Sequence, residues 1–355
     1  MNKDSKIYVA GHLGLVGSAL MKKLKNQNYS NIVTKTRKDL DLKVQVEVDL
    51  FFQKFKPEYV FLAAAQVGGI IANNNKRAEF IYNNIMIQSN IIHCSYKYKV
   101  KKLLFLGSSC VYPKNIKNPI KENSLLSSEL EYTNEPYAIA KIAGLKMCES
   151  YNIQYGTNFI SVMPTNLYGY NDNFNLDTSH VLPAIFRKIY LGKCLMDNNW
   201  EAIISDITKR PLEKIIDISS NKKILDGLSK YGVYEKSIEI WGSGNPLREF
   251  LWSDELADAC LYVMQNTNFK DLCYKDKEII NTHINIGSGE EISIKELAIL
   301  IKNIVGYKGD FFFNTSKPDG TFKKLIDNSK ISSLGWKNNV SLKEGISRIY
   351  NWYIE

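Results

Sequence analysis

The sequence predicts an α/β protein, a doubly wound parallel sheet with a smaller mixed α/β lobe over one end of it. Three observations carry this expectation. Short apolar runs alternate with segments of helical period through the first half of the chain, the rhythm of strands joined by crossover helices. The runs are continuously apolar rather than alternating, as expected when helices cover both faces of a sheet. Glycines Gly11, Gly14 and Gly17 stand at the first strand-to-helix turn.

Taken in order, Ile7-Tyr8-Val9-Ala10 is the first strand, and Ser18 to Leu24 follows with helical spacing. Asn31-Ile32-Val33-Thr34 reads as the second strand, Tyr59 to Ala65 as the third and Lys102 to Gly107 as the fourth. A long helix around Phe80 to Tyr98 separates the last two. Phe159 to Met163 is a further strand and runs into Pro164-Thr165-Asn166. Beyond about residue 172 the rhythm changes. A helix from Val181 to Leu191 leads into a polar region, Gly192 to Tyr234, with no obvious strand. Then come a strand at Ile238 to Trp241, a helix from Ser253 to Gln265 and a strand at Ile284 to Gly287. Helices at Ser293 to Val305 and Val340 to Tyr353 finish the chain. The expected division is 1–172 for the doubly wound domain and 173–355 mainly for the second lobe, with some late segments crossing back.

Bulk properties narrow the function classes. With 355 residues, 45% hydrophobic, the chain can bury one large core or two modest ones. Charged residues at 23% argue against disorder over most of the length. No apolar run approaches the ~20 residues that cross a bilayer, so no membrane association is expected. The polar start leads directly into a strand, so no signal peptide is expected. Six cysteines are scattered without a CxxC pair or framework spacing, which favours a reduced, cytoplasmic setting and offers no metal site. The net charge of +9 comes from dispersed lysines. With no nucleic-acid motif present, it reads as a solvated surface biased toward an anionic substrate.

The glycine turn is a candidate dinucleotide cradle. Glycine permits a tight turn and lets a pyrophosphate approach where a Cβ would block it, and the amides at the helix start then face the anion. Its spacing is GxxGxxG rather than GxGxxG. At the end of the second strand a carboxylate would grip the 2′-hydroxyl of NAD. Lys35-Thr36-Arg37 stands there instead, and a guanidinium suits the 2′-phosphate of NADP. Arg37 is therefore the expected main contact. Asp41-Leu42 would cover the adenine, and Ala63-Ala64-Ala65 would floor the pyrophosphate and ribose.

Tyr137 and Lys141 lie one helical turn apart, on one face. A phenol of pKa ~10 exchanges protons poorly at neutrality, and a neighbouring ammonium is expected to lower it. The pair could then protonate an alkoxide forming from a ketone. Ser108, after the fourth strand, is placed to hydrogen-bond the same oxygen. Cys110 follows it at the strand's carboxyl end, where open α/β sheets carry their sites. A thiolate there could remove an acidic proton beside a ketone, and His180, before a helix, could return one. Together these residues specify a nicotinamide-dependent enzyme acting on a carbonyl or alcohol.

The chain resembles the extended short-chain dehydrogenase/reductases and, within them, the GDP-L-fucose synthases. The resemblance rests on Val9 to His12, Leu62 to Ile70, Gly107 to Pro113, Asn134 to Lys141, Pro164 to Gly169 and Ser179 to Val181. It continues through Trp241 to Gly244, Arg248 to Phe250 and Lys317-Pro318-Asp319-Gly320-Thr321. It implies a Rossmann domain and an NADPH-dependent 4-reductase of a GDP-4-keto-6-deoxy sugar, working as a homodimer through its long helices. Ser108, Tyr137 and Lys141 would be the reductase triad, and Cys110 and His180 the base and acid of a 3,5-epimerisation. Gly11, Gly14, Leu15, Val16 and Gly17 would hold the cofactor with Pro164, Leu167, Lys141 and His180. Asn166, Arg187, Trp241, Arg248 and Lys317 would contact the GDP-sugar. Two departures stand out. Leu13 replaces an arginine of the family's glycine loop, leaving more to Arg37. The stretch 193–237 is longer than the family pattern, which suits a bulkier sugar such as a heptose, or a changed dimer edge. Two rivals remain. A 4-epimerase would consume no net NADPH, and a non-catalytic NADP-binding sensor would be inert toward sugar nucleotides.

Overall fold

The computed structural model describes residues 1–215, 217–273, 278–317 and 319–355. The chain begins β1 (Ile7–Ala10), α1 (Leu15–Asn26), β2 (Ile32–Val33), α2 (Gln45–Phe55), β3 (Tyr59–Leu62), α3 (Ile70–Asn75), α4 (Arg77–Lys97) and β4 (Lys102–Leu106). It continues with α5 (Glu135–Tyr155), β5 (Phe159–Pro164), β6 (Asn166–Tyr168), α6 (Val181–Met196), α7 (Trp200–Lys209) and α8 (Asn221–Ser229). The last part holds β7 (Ser237–Trp241), β8 (Leu247–Trp252), α9 (Ser253–Asn266), β9 (Ile284–Ile286), β10 (Glu291–Ser293), α10 (Ile294–Val305), β11 (Asp310–Asn314), α11 (Ser329–Ser333) and α12 (Leu342–Ile354).

Six strands pair in parallel in the order β2-β1-β3-β4-β5-β9. Odd and even positions of one strand serve different cores. Ile7 and Val9 pack with α1 and α9, whereas Tyr8 and Ala10 pack with α2 and α4. Leu104 and Leu106 face the first core and Leu103 and Phe105 the second. This two-sided burial is why the strands read as unbroken apolar runs. The chain steps outward from β1 to β2, then back past β1 to β3. That reversal opens a crevice beyond the carboxyl ends of β1 and β3, where such sheets bind ligands.

The second lobe has its own core, built from α6, α7, α8, β7, α10 and α12. Two small sheets, β10-β8-β6 and β11-β7, line its inner side. Late segments return to the large sheet: β9 is its last strand, and α9 packs beside α1. Lys102 secures that return by donating to the carbonyls of Val263 (2.9 Å) and Met264 (2.8 Å) at the end of α9. The polar stretch after α6 is helical, with Ile203, Ile207, Ile224 and Leu228 turned into the core. Ser220 caps α8. Among the described residues, no helix is long and apolar enough to cross a membrane.

Candidate active site

The glycine turn after β1 is closed by its own backbone. Gly11 has φ +85°, and a Cβ there would stand 2.7 Å from the Ala64 nitrogen. At Gly17 a Cβ would meet the Gly11 carbonyl oxygen at 2.0 Å. Gly14 is different: its nearest neighbour would be 3.5 Å away, and no side chain caps α1 there. The amides of Leu15 and Val16 open α1 at that point, so the turn leaves room and donors for an anion such as a pyrophosphate. Ala63 to Ala65 continue from β3 as its partly exposed floor. The residues present therefore fit a dinucleotide.

Arg37 is exposed in a turn braced by Asp39, whose carboxylate accepts from the Thr36 hydroxyl at 2.7 Å. Those Thr36 bonds hold Asp39 below the usual carboxylate range, and Lys35 and His12 add to the effect. Asp41 is braced locally by Lys43, while Asn90 donates to the Leu42 carbonyl at 2.9 Å. Leu13 is 69% exposed in the glycine turn. Pro164 is buried at the end of β5, and Leu167 lies half-buried in β6.

Tyr137 and Lys141 sit on the first two turns of α5, after Pro136. Buried Lys141 donates to the Leu106 carbonyl, the last of β4, at 2.7 Å. Its nitrogen is 4.9 Å from the Phe105 ring centre and 5.8 Å from that of Tyr137. The charge balance differs from the sequence expectation. Burial raises the Tyr137 phenol well above its usual range; the nearby Cys110 also raises it, and a Ser108 hydrogen bond pulls it down. Burial also lowers Lys141 to about 7. Desolvation is the largest influence on both groups, so burial holds the phenol neutral and makes the amine easier to deprotonate.

Ser108 and Cys110 follow β4 directly. The Ser108 hydroxyl accepts from the Cys110 amide at 3.2 Å, and Asn134 donates toward the Cys110 sulfur at 3.6 Å. Arg248 and Lys324 both lie within electrostatic reach of Cys110. Arg248 is itself fixed by the Thr321 carbonyl at 2.5 Å. His180 stands at the N-cap of α6. Surrounding protein lowers its imidazole below the usual range, though its outer face stays open to solvent. Asn166 is exposed at the start of β6, with its amide on the Glu249 carbonyl at 2.9 Å.

Trp241, at the end of β7, has two cations over its ring: Lys188 lies 5.9 Å and Lys317 5.3 Å from its centre. These three line a cleft of about 660 Å³. Pro318 lies outside the described residues. Arg187 corrects the sequence expectation. It is 0% exposed and turned into the lobe's core. Its Nε donates to Asp206 at 2.9 Å, and its other nitrogens reach the Phe174 and Arg210 carbonyls at 3.0 and 2.5 Å. It clamps α7 and does not line the cleft. Lys188, one position on, faces the cleft in its place. Lys324 and Asn134 beside Cys110, and Lys188 in the cleft, are neighbours of the expected residues that sequence reasoning does not pick out. The Lys188 signal was its place beside Arg187, on the next helical face. Among the described residues, no His, Cys, Asp and Glu group could hold a metal ion.

The chain is similar to several known proteins. A family model described as the NAD dependent epimerase/dehydratase family matches residues 7–210 and 217–287. A putative GDP-L-fucose synthase of Arabidopsis thaliana is 48% identical over 100% of this chain and 93% of its own. The crystal structure of a GDP-6-OMe-4-keto-L-xylo-heptose reductase from Campylobacter jejuni is 50% identical, with a TM-score of 0.94 over 99% of this chain and 98% of that one. A GDP-mannoheptose C4 reductase from the same organism, with NADP bound, is 49% identical, with a TM-score of 0.88 over 99% of each chain.

Proposed function

Because the chain belongs to the NAD dependent epimerase/dehydratase family, we propose that it is an NADPH-dependent 4-reductase of a GDP-4-keto-6-deoxy sugar, hexose or heptose. One observation carries the reading. A phenol kept neutral by burial stands beside Ser108, over a lysine poised near 7, at the sheet end that also holds the glycine cradle. NADPH, when bound, supplies the hydride that reduces C4. Tyr137 gives its phenolic proton to the C4 oxygen, and Ser108 hydrogen-bonds that oxygen and orients it. The phenolate left behind is offset by the ammonium form of Lys141, and a proton from solvent restores the phenol before the next turnover. Lys141 also holds the nicotinamide ribose. Arg37 and the amides of Leu15 and Val16 hold the phosphates, and Trp241, Arg248, Lys188 and Lys317 receive the GDP-sugar.

The reading extends to epimerisation. Cys110 removes the proton at C3 or C5 beside the ketone, and His180 returns one on the opposite face. The support is the positive surround of Cys110: an enolate formed there meets Arg248 and Lys324. The chain works as a cytoplasmic homodimer in surface-polysaccharide synthesis. Its faces α4 and α5 expose Tyr82, Ile139, Ile153 and Tyr155, and all six cysteines are free.

The test is incubation of the protein and NADPH with GDP-4-keto-6-deoxy-hexose and -heptose in deuterium oxide, read by NMR and by NADPH absorbance. Net oxidation with a reduced C4 is expected, and Tyr137→Phe should abolish it while NADPH affinity stays near normal. Turnover retained in that variant removes Tyr137 from the mechanism. Conversion without net NADPH loss would make the protein a 4-epimerase, and absence of deuterium at C3 and C5 would limit it to reduction.

A further inference from the structure

The stretch 193–237 reaches back to the cleft beside Trp241. Its helices α7 and α8 bury Ile203, Ile207, Ile224 and Leu228 in the lobe's core. The residues after them turn inward. Lys214, Lys230 and Tyr231 line the same 660 Å³ cleft as Lys188, Trp241 and Lys317. That volume lies within the range of roughly 300–1,000 Å³ typical of small-molecule sites.

The arrangement is braced. Tyr231 donates to Asp177 at 2.6 Å and accepts from the Lys214 amide at 3.0 Å. Asp177 belongs to the loop that ends at His180, so Tyr231 ties the long stretch to the wall that carries the imidazole. The Lys214 ammonium lies 4.4 Å from the Tyr231 ring centre and 3.4 Å from the Lys230 carbonyl. No carboxylate pairs with it in an ion pair among the described residues. It lies near enough to Lys188 that the two cations repel. The cleft holds five lysines against three carboxylates. Two of those carboxylates are engaged, Asp177 by Tyr231 and Glu239 by the Asn314 amide at 2.8 Å. Two ammonium groups held close in an open cleft, flanked by an exposed indole, make a receptor for a compact polyanion attached to a planar base.

Resting on the reading above, we propose that the long stretch supplies Lys214 as an additional cation of the nucleoside-diphosphate subsite, facing Lys188 across the cleft, with Tyr231 as the residue that positions it. The sugar end lies toward Cys110 and Arg248, and the diphosphate and base lie toward Trp241. The stretch thus contributes to holding the nucleotide as well as to enclosing the sugar. Binding of the diphosphate relieves the repulsion between Lys188 and Lys214. Lys188 rests at about 8 through burial, so binding near pH 8 draws in a proton.

The experiment measures GDP binding by calorimetry to the NADP-loaded full chain and to Lys214→Ala, Lys214→Glu and Lys222→Ala. Lys222 is exposed on α8 and does not line the cleft, so it controls for net charge. Lys214→Ala should weaken GDP about tenfold, Lys214→Glu more, and Lys222→Ala less than twofold; 4-reduction by Lys214→Ala should show a raised KM with kcat near that of the wild type. The Lys214 side chain makes only a ring contact with Tyr231 and a long hydrogen bond to the Lys230 carbonyl, and the hydrogen bond from its backbone amide to Tyr231 survives substitution. Wild type that binds GDP while Lys214→Ala binds it equally well overturns this inference and leaves the proposed activity standing. Wild type that fails to bind GDP at all overturns both.

Discussion

Arg187 is the residue on which sequence and structure disagree most sharply, and Arg187→Met separates the two roles. The side chains of Arg187 and Asp206 are 0% and 2% exposed, with a closest approach of 2.7 Å. Removing the guanidinium leaves the Asp206 carboxylate buried, facing the Tyr353 hydroxyl at 2.5 Å and a longer Arg210 contact at 3.4 Å. Two carbonyls, of Phe174 and Arg210, lose their donor as well. Breaking a buried pair from one side costs about 3–5 kcal/mol. For a chain of 355 residues that is a fall of about 4–7 °C in thermal midpoint. Replacing both partners, Arg187→Met with Asp206→Leu, should recover much of the loss, because no uncompensated charge remains. The assay is thermal unfolding by circular dichroism, joined to hydrogen exchange over α7, whose amides should lose protection first. Affinity for GDP in the folded protein should change less than twofold. Wild-type stability with lost GDP binding would refute the clamp and return Arg187 to the substrate.

Two further outcomes follow from the site. Gly17→Ala places a Cβ 2.0 Å from a backbone oxygen that cannot swing aside, so the glycine turn must shift and NADPH affinity, read by fluorescence titration, should fall at least about tenfold; unchanged affinity would show that the cradle tolerates the move. Lys141 titrates near 7 in the fold and near ~10.4 when unfolded, so between those values the unfolded chain holds the extra proton and stability rises with pH, the whole penalty being present below 7. Measured from pH 7 to 10, the stability of wild type minus that of Lys141→Met should climb by about 4 kcal/mol, and a flat difference would mean the lysine is not desolvated.

The large sheet was legible because its strands are buried twice over, so apolarity alone marks them. Smaller strands give no such signal. In β11 the run Asp310-Phe311-Phe312-Phe313-Asn314 leaves Phe312 60% exposed, and what makes it a strand is its partner β7. β6 spans three residues and exists because β8 lies beside it. The helix α2 was also passed over: Val46 and Leu50 point to solvent while Val48 and Phe52 are buried, which blurs its apolar face. The polar stretch after α6 hides its two helices for a related reason. Their apolar stripes are short, and a core supplied by distant segments completes them.

The site was legible where chemistry depends on local spacing and illegible where it depends on surroundings. Ser108, Tyr137 and Lys141 each follow a strand end or a helix start, so their order along the chain fixes their neighbourhood. Arg187 and Lys188 are adjacent on one helix and point about 100° apart; which of them meets substrate depends on Asp206, in a stretch that lies beyond the helix. The Tyr137 pair makes the same point in energy. Spacing says an ammonium stands near a phenol, and attraction between them predicts an acidic tyrosine. The sign reverses because the fold takes both groups out of water, and desolvation acts on each group separately whereas attraction needs both charged at once. A phenol held neutral carries the proton that an oxygen needs as a ketone is reduced, and a charged Lys141 beside it lowers the cost of giving that proton up; run backwards, the same pair takes a proton from an alcohol.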